Sequence, residues 1–412
     1  MIFLINNSEV TEKVILFSVD LDNGENVTSN LDELEELVKT AGAVCVGRML
    51  QNKEHIDNAT YFGSGKVLEL RDYILECGAT GVVCDDELSP MQLKNLEELL
   101  DTKVMDRTMV ILDIFANRAT TSEGKIQVEL AQLKYRSSRL IGMRNSLSRL
   151  GGGIGTRGPG EKKLEVDRRI IRDRIGQLNK ELEDVKQHRQ VLRKQRQEGN
   201  LPIVSIVGYT NAGKSTLLNH LTNAGVLEED KLFATLDPTS RVFKLNNGQE
   251  IIITDTVGFI RKLPHHLINA FRSTLEEAKY ADIILHVVDI SNPLADIQIL
   301  AVYETLNNLG VEDKPILTAF NKIDKVEDIP TVKDLRADKV VNISAKKEIG
   351  FDAISSSLEE IINNQRRYIE TVISYDKAGM INKIRKCGTV LEEDYREDGI
   401  FVRAYVDNTL NI

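Results

Sequence analysis

The chain has 412 residues, 42% of them hydrophobic, and a formal net charge of −10. That is enough apolar content for ordinary packed cores, and the length suits about three domains, so a chain disordered throughout is excluded. Four cysteines, Cys45, Cys77, Cys84 and Cys387, form no C-x-x-C pair, which speaks against a zinc framework and for a reducing compartment. The opening MIFLINNSEV has no basic start of the secretory kind, and no apolar run reaches the roughly 20 residues of a membrane span. A cytoplasmic protein without a membrane span is expected.

Residues 1–117 alternate short apolar runs with helical patterns. KVILFSV and AVCVGRML read as strands, with NLDELEELVKTAG between them as a helix capped by Asn30 and followed by Gly42. TGVVCDD is a further buried strand, and SPMQLKNLEELL a helix with Ser89 as cap and Pro90 at its first position. YFGSGKV contains a G-x-G-K without the spacing of a phosphate loop, so it reads as a turn into a helix. This alternation defines an N-terminal α/β domain.

Residues 118–199 change character. From Arg118 to Gly199 there are 20 Lys and Arg against 10 Asp and Glu, which leaves 33 against 53 in the remainder. A basic segment between acidic ones is a footprint for nucleic acid, although a solvated helix surface gives the same count. Ile126, Leu130, Leu133, Leu140 and Leu147 recur at near-helical intervals, and Ile171, Ile175, Leu178, Leu182, Val185 and Leu192 follow a heptad-like seam. Two amphipathic helices joined by a Gly/Pro loop predict a helical hairpin. The stretch SRLGGGIGTRGPGEKK, residues 148–163, then forms its tip, with Gly151, Gly152 and Gly153 among Arg149, Arg157, Lys162 and Lys163. An oligomerising coiled coil is the other reading of the stripe.

From Leu201 the pattern becomes strand, loop, helix. The apolar runs LPIVSIVG, EIIITDT, DIILHVVDI, PILTAFNKID and KVVNISA predict a mainly parallel sheet over 201–366, and LNNGQE supplies one hairpin turn. Residues 367–412 continue with a small α+β pattern that includes the strand GIFVRAYV.

The chemistry lies in 201–366. GYTNAGKS, with Gly208, Tyr209, Thr210, Asn211, Ala212, Gly213, Lys214 and Ser215, has the phosphate-loop spacing between an apolar strand and an apolar helix. Its backbone N–H groups suit a phosphate chain at a helix N-terminus; Lys214 suits the β- and γ-phosphates, and the Ser215 hydroxyl suits Mg²⁺. Thr216 continues the motif. DTVG, with Asp255, Thr256, Val257 and Gly258, follows a buried strand and offers a carboxylate for Mg²⁺ and an N–H for the γ-phosphate. NKID, with Asn321, Lys322, Ile323 and Asp324, ends another strand. Its carboxylate can accept from guanine N1–H and the 2-amino group, a donor pair that adenine lacks. SAK, with Ser344, Ala345 and Lys346, offers an N–H to guanine O6. Four motifs in this order at strand ends predict a guanine nucleotide site.

With GGGIGTRGPGEKKLEVDRR, LFATLDPTSR and DTVGFI added to these motifs, the chain resembles the HflX family of ribosome-associated P-loop GTPases, in the Obg–HflX-like group. The resemblance covers residues 1–366. It implies hydrolysis of GTP to GDP and phosphate with Mg²⁺, an additional acceptance of ATP through the N-terminal region, and a monomer. It also implies binding to the 50S subunit, with the hairpin tip toward ribosomal RNA near the peptidyl transferase centre, and splitting of stalled or idle 70S ribosomes. By position in FATLD, with Phe233, Ala234, Thr235, Leu236 and Asp237, Thr235 resembles the threonine that holds Mg²⁺ when GTP is bound; Thr239 is the second candidate. Lys214, Thr235, Asp255 and Gly258 are then the catalytic set, and Ser215, Thr235 and Asp255 the metal set. The resemblance extends to GTPases whose loop asparagine binds K⁺, for which Asn211 is the candidate. One departure stands out: Phe259 follows DTVG, where many GTPases carry a glutamine that orients water, and a phenyl ring cannot do so. Two other roles remain open on the sequence, a large-subunit assembly factor that uses hydrolysis to time its release, and a signalling GTPase with a protein partner.

Overall fold

The computed structural model describes residues 11–22, 24, 26–150, 159–198, 201–222, 232–233, 236–262, 277–311, 313–328 and 332–406; the side chains of 140–150, 159–164, 186, 188–198, 386–387 and 389 are outside this description. The chain forms two compact units, residues 1–183 with 262–270, and residues 184–261 with 271–412.

The first unit opens with β1 (Lys13–Asp20), α1 (Val27–Thr40), β2 (Val44–Asn52), α2 (Ser64–Cys77), β3 (Gly81–Cys84), α3 (Pro90–Leu100), β4 (Lys103–Asp106) and α4 (Arg107–Arg118). The strands form a parallel sheet in the order β2-β1-β3-β4. Strands with apolar residues on both faces, such as VILFSV, are what a parallel sheet covered by helices requires. The helix signals at α3 act as read: Ser89 Oγ accepts from Gln92 N–H, the Gln92 side chain returns to the Ser89 N–H, and Pro90 fills the first position. YFGSGKV is a turn into α2, with Gly63 as its cap. The cap of α1 needs correction. Asn26 accepts from Ser29 N–H at 3.0 Å, whereas Asn30 is buried within the helix. The apolar anchor Val27 draws a further turn into the helix through Thr28 and Ser29, residues whose weak helix propensity conceals it in the sequence.

This unit also buries charge. Asp85, with no exposed surface, accepts from Arg107 at 2.8 Å and from Lys262 at 2.8 Å, and Arg107 reaches Glu33 at 3.1 Å. Removing one partner from such a group leaves an uncompensated charge.

Two long helices follow, α5 (Ser122–Leu150) and α6 (Pro159–Glu198). In the described portion, Leu130, Leu178 and Leu182 form a buried seam flanked by Ile126, Leu133 and Ile175. Arg174 and Glu129 pair across it at 2.7 Å, so the apolar stripe is used in packing α5 against α6.

The second unit contains β5 (Ile203–Gly208), α7 (Lys214–Thr222), β6 (Thr239–Lys244), β7 (Glu250–Asp255), β8 (Ile283–Asp289), α8 (Ala295–Asn308), β9 (Ile316–Asn321), β10 (Lys339–Asn342) and α9 (Phe351–Asn364). The sheet order is β10-β9-β8-β5-β7-β6. Only β6 runs antiparallel, joined to β7 through the Asn-Gly turn with Gly248 at φ +86°. Every motif loop leaves the carboxyl end of a strand, the edge where open α/β sheets bind ligands. The remaining residues form β11 (Arg367–Ile373), α10 (Gly379–Cys387), β12 (Gly388–Arg396) and β13 (Gly399–Val406), a three-stranded antiparallel sheet in the order β11-β13-β12. Among the described residues no helix is long and apolar enough to cross a membrane.

The hairpin yields a stability test. Leu178→Ala is expected to cost about 2–5 kcal/mol, because it opens a cavity in a buried seam, and Arg174→Ala far less, because its ion pair with Glu129 is exposed to solvent. Denaturant titrations followed at the first unit should show this order; equal losses would mean that the apolar seam does not hold the helices together.

Candidate nucleotide site

The loop between β5 and α7 is built on two glycines that cannot be replaced. A Cβ on Gly208 would lie 2.2 Å from the Val287 carbonyl of β8, and one on Gly213 would lie 2.3 Å from Asn321 Nδ2; their φ angles are +154° and +96°. Asn211 takes φ +60°, a left-handed conformation that asparagine tolerates. The chain thereby wraps Lys214, only 6% exposed, whose ammonium donates to the carbonyls of Gly208 at 3.2 Å and Tyr209 at 2.8 Å. Burial pushes its pKa down to about 8; Asp255 opposes this shift and Lys322 adds to it. A cation set beside a helix N-terminus is an anion site.

Asp255 ends β7 fully buried, and Ser215 Oγ donates to its Oδ2 at 2.9 Å. These two oxygen donors suit a hard divalent cation that completes its coordination with substrate phosphates and water, as Mg²⁺ does. Among the described residues no group of three or more His, Cys, Asp or Glu forms a protein-only metal cage. Thr256 Oγ1 donates to the Ile206 carbonyl at 2.7 Å, which fixes the start of the DTVG loop, and Val257 is buried. Gly258 faces the phosphate loop closely: a Cβ there would lie 2.8 Å from Thr210 Cγ2 and 3.0 Å from Lys214 Nζ. Phe259 next bridges to the loop through its backbone, donating to Gly208 O at 3.0 Å and accepting from Thr210 N–H at 2.8 Å. Its ring is 1% exposed, turned into the core and away from any water-orienting role.

On the other side of the loop lies a cavity of about 310 Å³, lined by Asn211, Gly213, Thr216, His220, Asn321, Lys322, Asp324, Lys325, Ala345 and Lys346. The buried Asn321 amide donates to the Ala212 carbonyl at 2.8 Å, and its oxygen accepts from Ala345 N–H at 2.8 Å. Lys322, at φ +66°, is held by Asp289 at 2.7 Å and the Asn211 carbonyl at 2.8 Å, which lays its stem along the cavity. Ile323, between Lys322 and Asp324, turns the chain into a short 3₁₀ helix. Ser344 Oγ donates to Asp324 Oδ1 at 2.6 Å and, with smaller help from the Asp324 backbone and nearby lysines, holds that carboxyl below its usual range. A carboxylate that stays ionised here can accept two N–H groups from a purine edge.

Of the SAK backbone N–H groups that the sequence offers to guanine O6, that of Ala345 donates to Asn321 Oδ1. His220, Lys325 and Asp289 line or brace the site without a place in the sequence motifs. The signal for His220 was its position four residues beyond Thr216, on the same face of α7; its Nδ1 meets Glu348 Oε1 at 2.7 Å. In the FATLD stretch Phe233 and Leu236 are buried and Asp237 is described, while Ala234 and Thr235 lie outside the described residues. Thr239 starts β6 and pairs in register with Asp255. Of the residues expected at the hairpin tip, Gly151, Gly152, Gly153 and Arg157 lie outside the described residues. Arg149, Lys162 and Lys163 fall on α5 and α6, and their side chains are not described.

Fold and site together define a P-loop GTPase. Residues 203–322 match a family described as 50S ribosome-binding GTPase, residues 28–116 the N-terminal region of GTP-binding GTPases and residues 118–196 their middle region. The chain is similar to GTPase HflX of Lacrimispora saccharolytica, 64% identical over 99% of this chain and 96% of that one. It is 42% identical to GTPase HflX of Escherichia coli, over 85% of this chain and 82% of that one. A solved GTP-binding protein from Sulfolobus solfataricus in complex with GDP is 25% identical, with a TM-score of 0.45 over 85% of this chain and 98% of that one. The chain belongs to the HflX family of GTPases.

Two outcomes follow from the site's electrostatics. Bound phosphates raise the pKa of Lys214 above its free value of about 8, so binding takes up a proton above that pH. GDP affinity should therefore be level below pH 8 and fall above it, by up to about tenfold per pH unit. Fluorescent GDP titrations from pH 7 to 9.5 test this, and a flat profile would contradict it. Asp324→Asn should weaken GDP binding by about a hundredfold or more through loss of charge-assisted hydrogen bonds, and should strengthen binding of xanthosine diphosphate, whose edge accepts where guanine donates. Competition between the two nucleotides reads both effects.

Proposed function

We propose that this GTPase binds the 50S ribosomal subunit and splits or rescues stalled or idle 70S ribosomes from the cytoplasm. The observation that carries the reading is the basic, glycine-rich stretch where α5 ends at Leu150 and α6 begins at Pro159, in a chain whose GTPase domain matches a family described as 50S ribosome-binding. Glycine lets backbone approach nucleotides closely. Arg149 and Arg157 supply planar guanidinium groups for phosphates or unstacked bases, and Lys162 and Lys163 add salt-sensitive affinity.

In this reading the loop 208–216 holds the phosphates, with Lys214 across the β- and γ-phosphates, and Asn321, Lys322, Asp324 and the 344–346 loop hold the guanine. Ser215, Thr235 and Asp255 hold Mg²⁺, which neutralises phosphate charge when bound. Thr235 and the Gly258 N–H sense the γ-phosphate. Their release after hydrolysis ends the ribosome-bound state. Asn211 is the proposed K⁺ ligand; equal hydrolysis rates in K⁺ and Na⁺ without ribosomes would remove that role.

The test is cosedimentation with purified 50S and 70S particles, in a non-hydrolysable GTP analogue or GDP, using the intact chain and one lacking Gly151–Gly160. The expected result is analogue-dependent 50S binding and 70S splitting, with splitting lost in the deletion. Affinity for immature subunits without splitting would favour an assembly factor. Binding to neither particle would discard the ribosomal reading.

A further inference from the structure

The buried phenyl ring of Phe259 leaves hydrolysis without the side chain that orients water in many GTPases, so another group near the γ-phosphoryl position must act on the reacting atoms. One polar atom beside that position is unexplained. Thr210 is only 6% exposed, and its Oγ1 is buried without a hydrogen-bond partner, an arrangement that is costly unless the group serves another purpose. Its backbone is fixed, with the N–H donated to Phe259 O at 2.8 Å. Its Cγ2 and Cα lie 2.8 and 2.9 Å from where a Gly258 Cβ would stand, and Lys214 Nζ lies 3.0 Å from the same point. The Thr210 side chain thus shares one small volume with the lysine for the β- and γ-phosphates and the glycine whose N–H meets the γ-phosphate.

We propose that the Thr210 hydroxyl is a catalytic group of GTP hydrolysis, donating a hydrogen bond to the γ-phosphoryl group as negative charge spreads over its oxygens. In that step a water oxygen bonds to the γ-phosphorus and the bond from phosphorus to the β,γ-bridging oxygen breaks. The electron pair stays on GDP, and the proton of the water leaves with the inorganic phosphate. A donor already fixed in a dry site strengthens most where charge develops, and Thr210 is held by the bridge that also buries Phe259. The β-branched methyl packs against Gly258 and limits the rotation of the hydroxyl. The proposal rests on the assignment of 208–216 as the phosphate loop.

The experiment compares the full-length wild type with Thr210→Val, Thr210→Ser and Thr210→Ala, without ribosomes. It measures single-turnover GTP hydrolysis, GDP affinity, and the complex formed by fluorescent GDP with aluminium fluoride, which mimics the transferring phosphoryl group. Loss of one such donor lowers kcat by about a hundredfold or more in other enzymes. Thr210→Val is expected to lose at least about tenfold of that and to fail in the aluminium fluoride complex, with GDP affinity within twofold of wild type; Thr210→Ser is expected to keep both within about threefold. Hydrolysis by Thr210→Val at the wild-type rate overturns the proposal. So does an equal loss of GDP affinity, which marks a packing role. If the valine variant does not fold, Ser and Ala differ by one hydroxyl, and equal rates for those two also overturn it. Wild type that binds no GDP overturns the phosphate-loop assignment itself, a separate outcome.

Discussion

The site depends on one buried amide. Asn321 donates to the phosphate loop through Ala212 O and accepts from the 344–346 loop through Ala345 N–H, so two loops that are far apart in sequence are fixed to the end of a third strand. The amide can reach the loop because Gly213 has no Cβ; any side chain there would strike Asn321 Nδ2. Residue 213 therefore has two reasons to be glycine, its φ of +96° and the approach of that amide. The amide is buried with both ends satisfied, and in such surroundings a half-satisfied group costs more than a full network gains. Loss of the amide would misplace the phosphate loop and the base cavity together.

Around that amide, charge is arranged in order of burial. Lys214 is the deepest cation and is depressed by desolvation, while Lys322, nearer the surface, is paired with Asp289 at 2.7 Å. These two cations, from different loops, repel one another, and the nearby carboxylates Asp255 and Asp289 offset this. The nucleotide's phosphates can complete the compensation at Lys214, which makes anion binding and relief of a buried charge the same event. Asp324 stands apart from the phosphates, kept ionised first of all by the Ser344 hydroxyl. Base recognition and phosphate recognition thus use separate charges joined by one neutral side chain.

Much of this was legible in the sequence, and for identifiable reasons. GYTNAGKS, DTVG and NKID each sit at the end of an apolar strand, and a parallel sheet brings such ends to one edge, so order along the chain became proximity in space. Ser89-Pro90 and the Asn-Gly turn read correctly because their chemistry is local. The cap of α1 was misread by four residues because a buried valine outweighed the propensities of Thr28 and Ser29. His220 and Asp289 were missed because they belong to no strand-end motif; their places depend on how α7 and β8 pack. Likewise, the direction of the Ala345 N–H depends on Asn321, which arrives from a different strand and could not be read from SAK alone.

Phe259 shows how one residue can be both a departure from a pattern and a structural necessity. Its N–H and C=O pair with Gly208 and Thr210 as an added rung between the DTVG loop and the phosphate loop, and its ring is buried in the core. A glutamine at this position would have to bury an amide without an evident partner, at a cost of about 1–3 kcal/mol, or leave the core and weaken the rung. The rung also sets Gly258 against Thr210 at a distance that no Cβ could occupy. Burying an apolar ring therefore fixes the geometry of the reacting end while removing the usual group that orients water there. Chemistry at the γ-phosphate must then come from residues that the same rung holds in place.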